Sequence, residues 1–289
     1  MDARTSLCQL FLSGAFTNYQ LLLLARHAAD FPHWQPWLAA GQRRTKPAKC
    51  AQQTAILTAV LADRPVAPPI AAGTQLLTVL DSAYPLRLLE IYDPPAVLHC
   101  AGHLALLTQR TVGVVGTRTC SAYGQAAAAA LVPPLCAADV VIVSGLARGI
   151  DSLAHRLAMG AAGSTIGVIG NGLTHFYPRE HTALQQVMMH DQLVLSPFPP
   201  TTPPRPYQFP QRNRIIAGLS HALLVIEARE RSGSLITASL AQDANRLVAA
   251  VPGRICDPLS AGCNALIADG AIPVRSAADL LRELPDKAF

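Results

Sequence analysis

Lysine is nearly missing from this chain. Of its 23 basic residues only Lys46, Lys49 and Lys287 are lysines, and the other 20 are arginines. None of the three follows a glycine, so the Gly-x-x-x-x-Gly-Lys-Ser/Thr loop of P-loop nucleotidases is excluded. Charge of either sign is scarce at 14%, whereas 51% of the residues are hydrophobic, which excludes global disorder and supplies a sizeable core. The seven cysteines contain no Cys-x-x-Cys pair; Cys100, Cys120 and Cys136 sit in or beside apolar segments, as reduced thiols of a cytoplasmic protein do. No signal peptide is expected, because Asp2 and Arg4 precede only a short apolar stretch. The longest apolar region, 126–147, is broken by Pro133, Pro134 and Asp139, which argues against a membrane-spanning helix. Neither a Gly-x-Ser-x-Gly elbow nor a metal-spaced cluster is present, so no metal and no cofactor is expected. Gly170 and Gly172 do not make a dinucleotide fingerprint, since His175 stands where the third glycine belongs.

Two stretches share one design, VGVVGTR (112–118) and VIVSGLARG (141–149). Each is a short β-branched run that ends in glycine, small polar residues and an arginine, with a helix-prone segment behind it. Buried parallel strands read this way, and the turns at their carboxyl ends are where open α/β sheets bind ligands. Gly116 and Gly145 let a ligand approach the backbone or simply make tight turns; Arg118 and Arg148 add charge beside the N–H groups of the next helix. A phosphate-bearing ligand fits best. Basic residues outnumber acidic ones seven to three over residues 1–72 and seven to four over 111–220, so the positive excess lies where a polyanion would bind. Arginine suits that task through its planar donor fork, although an Arg-rich chain also follows from a GC-rich genome.

Residues 1–72 read as a small N-terminal helical domain, with the basic turn GQRRTKPAK (41–49) between two helices and the Pro-rich connector 63–73 at its end. From Val112 strands alternate with helices: strands at 112–115, 140–143, 166–169, 193–195, 222–226, 247–251 and 272–274. The helices fall near 121–131, 151–161, 180–189, 211–218, 234–244, 262–268 and 276–284. This alternation predicts an α/β fold over 73–289, an extended Rossmann-like doubly wound, mainly parallel sheet. Asp151 and His155 share a helix face, either as a brace or as acid–base machinery, and bracing is the commoner use.

Further phosphate-friendly loops follow. Arg212, Asn213 and Arg214 open the helix of FPQRNRIIAGLS, and Ser232 and Gly233 lead into that of RSGSLITASLA. Tyr177, beside Phe176 and Arg179, offers base stacking plus charge, as single-strand binders do, or else is a turn residue that merely packs.

Taken together, VGVVGTRTCSAYG, VSGLARGIDSLAH, GNGLTHFYPREH, FPQRNRIIAGLS, ERSGSLITASLA and AVPGRICDPLSAGCNALIADGA resemble the bacterial DNA-processing family DprA, also called Smf. The resemblance covers about residues 76–285. It implies an extended Rossmann-like dimer that binds single-stranded DNA and loads the recombinase RecA during natural transformation. With the cysteine usage and the missing catalytic and membrane-spanning motifs above, the expectation is a cytoplasmic, non-enzymatic homodimer with no membrane association. On the matching motifs it implies DNA contacts at Gly116, Thr117, Arg118, Ser144, Gly145, Arg212, Asn213 and Arg214, and the loop chemistry read above adds Arg148, Asn171, Tyr177, Ser232 and Gly233 to the expected DNA-binding set. Thr117 stands where the family has serine, and Pro197 where it usually has an acidic residue. Residues 1–72 match the family's helical domain poorly, and the winged-helix domain that some members carry at the C-terminus is expected to be absent. For the dimer the sequence adds the apolar elements 215–228 and 261–271, as surfaces left uncovered or as plain core. The rival reading is a nucleotide-binding or nucleotide-hydrolysing, phosphoribohydrolase-like enzyme, for which Glu227 and Glu230 are the nearest carboxylates. A protein-docking scaffold is the third.

Overall fold

The first helices form where short polar side chains can cap them. The computed structural model describes residues 1–286 apart from Pro32 and Pro69; residues 287–289, with Lys287 and the tail of the expected second domain, lie outside the described residues. Asp2 accepts from the Thr5 amide to start α1 (Ala3–Leu12), and Thr17 with Gln20 makes a capping box for α2 (Asn18–Arg26). Helices α3 (Gln35–Gly41) and α4 (Pro47–Leu61) follow, each with proline in its first turn. Their apolar faces close around buried Trp34, Leu7, Leu24 and Leu57. The same core takes in Leu76, Ala96 and Val97 from the first two strands, so the helices rest on the sheet across the Pro-rich connector.

Among the described residues nine strands build one sheet: β1 (Thr74–Thr78), β2 (Val97–Gly102), β3 (Thr111–Val115), β4 (Val141–Ser144), β5 (Thr165–Val168), β6 (Leu193–Ser196), β7 (Ala222–Val225), β8 (Leu247–Ala250) and β9 (Ile272–Pro273). Their spatial order is β1-β2-β6-β5-β4-β3-β7-β8-β9. The seven strands from β6 to β9 pair in parallel, and β2 joins β6, and β1 joins β2, antiparallel. The expected strands and helices of the α/β region are therefore present, most with ends shifted by one or two residues. Chain order runs from β3 outward to β6, then returns to β7 on the other side of β3. That reversal opens a crevice at the carboxyl ends of β3 and β7.

Both faces of the sheet are covered. Helices α6 (Ala122–Ala137), α7 (Ile150–Gly160) and α12 (Ala277–Leu281) pack with Val112, Val114 and Ile142 on one face. On the other, α5 (Leu86–Leu89), α9 (Gln208–Leu219), α10 (Gly233–Asp243) and α11 (Ala261–Ala268) pack with Val115, Val143 and Leu223. A third cluster seats α8 (Thr182–Asp191) on β6 through Leu184, Met188 and Val194.

Two sequence expectations change here. Helix α6 does not stop near 131 but runs through Pro133 and Pro134 to Ala137. Those prolines cost it the N–H groups that would bond the carbonyls of Ala129 and Ala130, two exposed residues whose carbonyls water can serve. Segments 215–228 and 261–271 contribute Ile215, Ile216, Leu223, Val225, Cys263 and Leu266 to the core, so those side chains cover no partner. Among the described residues no helix is long and apolar enough to cross a membrane.

Candidate nucleic-acid interface

The loop after β3 is held by backbone contacts that leave the Arg118 side chain exposed. The Thr117 amide donates to the Glu227 carbonyl (2.8 Å), and the Ile150 amide donates to the Thr117 carbonyl (3.2 Å). Gly116 is needed for packing, since a Cβ there would meet Ile150 Cγ1 at 2.5 Å. Gly149, with φ of +73°, lets the next loop pass, where a Cβ would lie 2.2 Å from the Thr117 carbonyl. Glu227 is fully buried behind this loop, accepting from the Ser121 amide (2.9 Å) and the Ser121 hydroxyl. Among the nearest carboxylates, Glu227 is thus spent on bracing the start of α6, and Glu230 lines a separate hollow with Cys256 and Asp257.

Facing the crevice is a cleft of about 560 Å3 between the β3, β4 and β7 loops and the start of α9. Arg118 and Arg229 are exposed on its rim. Phe209 lies at the centre of a small aromatic and cationic group. The Tyr177 ring sits 5.6 Å from it, and the guanidinium carbons of Arg118 and Arg212 stand 5.8 and 6.0 Å from its centroid. Tyr177 is 45% exposed. Across the cleft Ser232 caps α10 without a side-chain bond to that helix; its buried hydroxyl has no partner among the described residues. Gly233 beside it is open to the cleft, with nothing near where a Cβ would be.

Arg212 is buried. Its Nη1 donates to the carbonyls of Gly145 and Val168 (2.7 Å for the latter), and its Nε donates to Asn213 Oδ1 (3.0 Å). Burial pulls its pKa down to about 10, with Arg118 acting the same way and Asp151 opposing, so it stays charged near neutrality. The Asp151 carboxyl is pushed up by burial, against the pull of Arg212, the amides of Ala147 and Gly145, and Arg118. His155 is a brace: its Nδ1 meets Thr165 Oγ1 at 2.7 Å in the core, and burial drives its pKa down to about 3.

The thirteen residues singled out from the sequence separate into groups. Thr117, Arg118, Arg212, Asn213, Ser232 and Gly233 line the cleft with Gly116 and Tyr177. Gly145, Arg148 and Asn171 line an adjoining hollow of about 450 Å3, walled from the cleft by Tyr177 and Phe209. There Arg148 pairs with Glu180, and Asn171 is buried, its amide donating to the carbonyls of Gly172 (3.0 Å) and His175 (2.8 Å). Ser144 is sealed in the sheet, donating to the Val114 carbonyl at 2.6 Å. Arg214 faces away from the cleft and pairs with Asp93 at 3.2 Å. Residues two apart on a helix point about 200° from each other, so Arg212 and Arg214 cannot both face one cleft. Phe209 and Arg229 are cleft residues the sequence did not single out. The signal for Phe209 was its position three before Arg212, on the same helix face. Among the described residues no cluster of His, Cys, Asp and Glu could hold a metal ion.

The comparisons agree with this architecture. Residues 75–285 match the family model described as DNA recombination-mediator protein A. The DNA processing protein DprA of Bacillus subtilis is 45% identical over 216 residues, 74% of this chain and 73% of that one. Its Streptococcus pneumoniae counterpart is 48% identical over 206 residues, 71% of this chain and 73% of that one. The X-ray structure of S. pneumoniae DprA superposes with a TM-score of 0.84 at 39% identity, covering 96% of both chains. A Helicobacter pylori DprA structure, described for its single-stranded DNA binding mode, superposes at 0.65 with 29% identity, covering 73% of this chain and 98% of that one. With the model matched over most of the chain and relatives this similar, the chain belongs to the DNA recombination-mediator protein A family, the DprA DNA-processing proteins.

Proposed function

We propose that this protein binds single-stranded DNA along the carboxyl edge of its sheet, with phosphates at Arg118, Arg229, Ser232 and Gly233 and a base on Tyr177. The cleft is the observation that carries this reading. It combines exposed arginines, an unpartnered buried hydroxyl at a helix start and an aromatic face, the chemistry of sequence-tolerant strand binding. The H. pylori relative described by its single-stranded DNA binding mode supports it. Thr117 and Asn213 supply hydroxyl and amide groups, while buried Arg212 sets a positive field beneath the strand. Gly116, Gly145, Ser144 and Asn171 serve by shaping the loops, and Arg148 and Arg214 meet DNA only after leaving Glu180 and Asp93.

In the cytoplasm, as a homodimer, the protein hands its strand to RecA with no turnover of its own and no cofactor. Seven free cysteines suit a reducing compartment, and the commitment of Glu227 to Ser121 suits a binding role. The family resemblance supports the dimer and the RecA step.

Fluorescence anisotropy with labelled oligothymidylate and with duplex, across a salt series, tests the reading. Single strands should bind more tightly, and affinity should fall steeply with salt as counterions return. Equal affinity for the two forms overturns it, and tight binding of a free nucleotide would favour the nucleotide-enzyme alternative. Light scattering over a concentration series tests the dimer. RecA filament growth on strands coated with single-strand-binding protein tests the hand-over.

A further inference from the structure

The basic turn between α3 and α4 has no role in the cleft. Arg43, Arg44, Lys46 and Lys49 are all exposed, and none of them forms an ion pair among the described residues. The carboxylates of residues 1–72 are engaged elsewhere: Asp2 caps α1, Asp30 accepts from Trp37 Nε1, and Asp63 meets the chain's amino group. Lys46 is the N-cap of α4 and Lys49 lies in its first turn, where no acidic residue is present. Cations at that end of a helix oppose its dipole, so the turn concentrates positive field that an external polyanion relieves.

A second hollow lies on the other side of α9 from the cleft. It measures about 500 Å3 and lies between the helical region and α9. Phe16, Phe198 and Tyr207 supply rings and Gln211 an amide, while Arg214 is paired with Asp93 and the Asn18 amide is spent on Asp93, the Pro94 carbonyl and the Ala96 amide. Helix α9 is a wall shared by cleft and hollow, since Phe209 and Arg212 face one and Gln211 and Arg214 the other. The start of α2 is shared by hollow and turn. Asn18 lines the hollow, while Gln20 donates to the Gly41 carbonyl at 3.3 Å and packs against Gly41.

We propose that a single strand held in the cleft continues over the amino end of α9 into this hollow, rests a base on its rings, and places its next phosphates on Arg43, Arg44, Lys46 and Lys49. This inference rests on the strand-binding reading above. A helix is about 10–12 Å across. About three nucleotides at roughly 3.4 Å each therefore cross it.

Oligothymidylates of about six and about twenty nucleotides, one filling the cleft and the other reaching the turn, separate the two claims. The variant carrying Arg43→Ala, Arg44→Ala, Lys46→Ala and Lys49→Ala should keep its melting curve and its affinity for the short strand. For the long strand it should lose affinity about tenfold or more at low salt, and its salt slope should shrink by about three, the share of four phosphates. Tyr207→Ala, at an exposed ring, should weaken only the long strand, by about fivefold or more. Unchanged binding of the long strand overturns the inference, as does an equal loss on both lengths or an equal loss on duplex. If the unaltered protein binds neither length, the strand-binding reading itself fails. If Arg118→Ala weakens both lengths while the turn variant weakens neither, the cleft stands and the extension falls.

Discussion

The guanidinium of Arg212 fills the space in which a side chain on Gly145 would begin. A Cβ built on Gly145 lies 2.1 Å from Arg212 Nη1 and 2.4 Å from its Cζ. The glycine at the end of β4 therefore serves a buried charge, and ligand access is not its purpose. That charge is satisfied by the carbonyls at the ends of β4 and β5 and is balanced in part by Asp151. It lies under the cleft as a fixed cation that need not reorganise when a phosphate arrives.

Gly145→Ala should accordingly be severe although it adds one methyl group. The guanidinium must leave its two carbonyls or the strand ends must part, and disrupting a buried charge's partners costs about 3 kcal/mol or more. Urea unfolding measures it. A variant within about 0.5 kcal/mol of the parent, the range of an ordinary surface change, would show that Arg212 can move aside freely.

Arg118 should behave in the opposite way. It is exposed and contacts Phe209 only through a cation–π approach, so Arg118→Ala should leave the melting temperature nearly unchanged. Strand affinity should drop by about 1–3 kcal/mol, the range for a charge-assisted hydrogen bond. Anisotropy titration beside a thermal melt checks both halves. A loss of fold, or full affinity, removes Arg118 from the phosphate path.

Much of this was legible in the chain, for identifiable reasons. Parallel strands buried on both faces are continuous apolar runs, so β3 to β9 could be placed from sequence almost to the residue. Arg118, Ser232 and Gly233 were legible because a loop that ends such a strand has nowhere to go but the sheet's carboxyl edge. Direction was not legible. Arg-Asn-Arg reads as one basic block, yet helical rotation sends Arg212 into the core and Arg214 to Asp93. Gly116 and Gly145 carry no sign of what fills the space they vacate. Phe209 reads as an ordinary core residue until the Tyr177 loop is folded against it.

Acid should destabilise the protein before its carboxylates titrate. His99 and His155 are buried, and burial lowers their pKa to about 4 and about 3 from an ordinary 6.5. The folded state thus keeps both neutral, while the unfolded chain takes up protons below 6.5. The stability from their neutral forms is complete above pH 6.5 and is lost as pH falls toward 4 and 3, by up to about 1.4 kcal/mol per unit for each ring. Asp151, pushed up by burial, works the other way in the acid range. Urea midpoints at pH 7.5 and 5 should differ clearly, and His99→Leu should flatten that dependence by about one proton. Equal midpoints at both pH values would mean that the folded protein protonates these rings as readily as the unfolded chain does.

Ser232 offers the sharpest test of the cleft, because its hydroxyl does nothing for the folded protein alone. The oxygen is buried, has no partner among the described residues, and caps α10 without bonding to it. Removing a polar atom in that state costs no hydrogen bond and relieves a desolvated group, so Ser232→Ala should be as stable as the parent or slightly more so. If a phosphate takes that hydroxyl as donor, the variant loses about 1.5–3 kcal/mol of strand binding, the range for a hydrogen bond to a charged group. The loss should persist at high salt, since it removes a directional bond and leaves the counterion count alone; Arg118→Ala should instead flatten the salt slope by about 0.7. Titrations of both variants at two salt concentrations separate these signatures. A Ser232→Ala protein that is less stable yet binds normally would make the hydroxyl a structural cap and move the phosphate path off the start of α10.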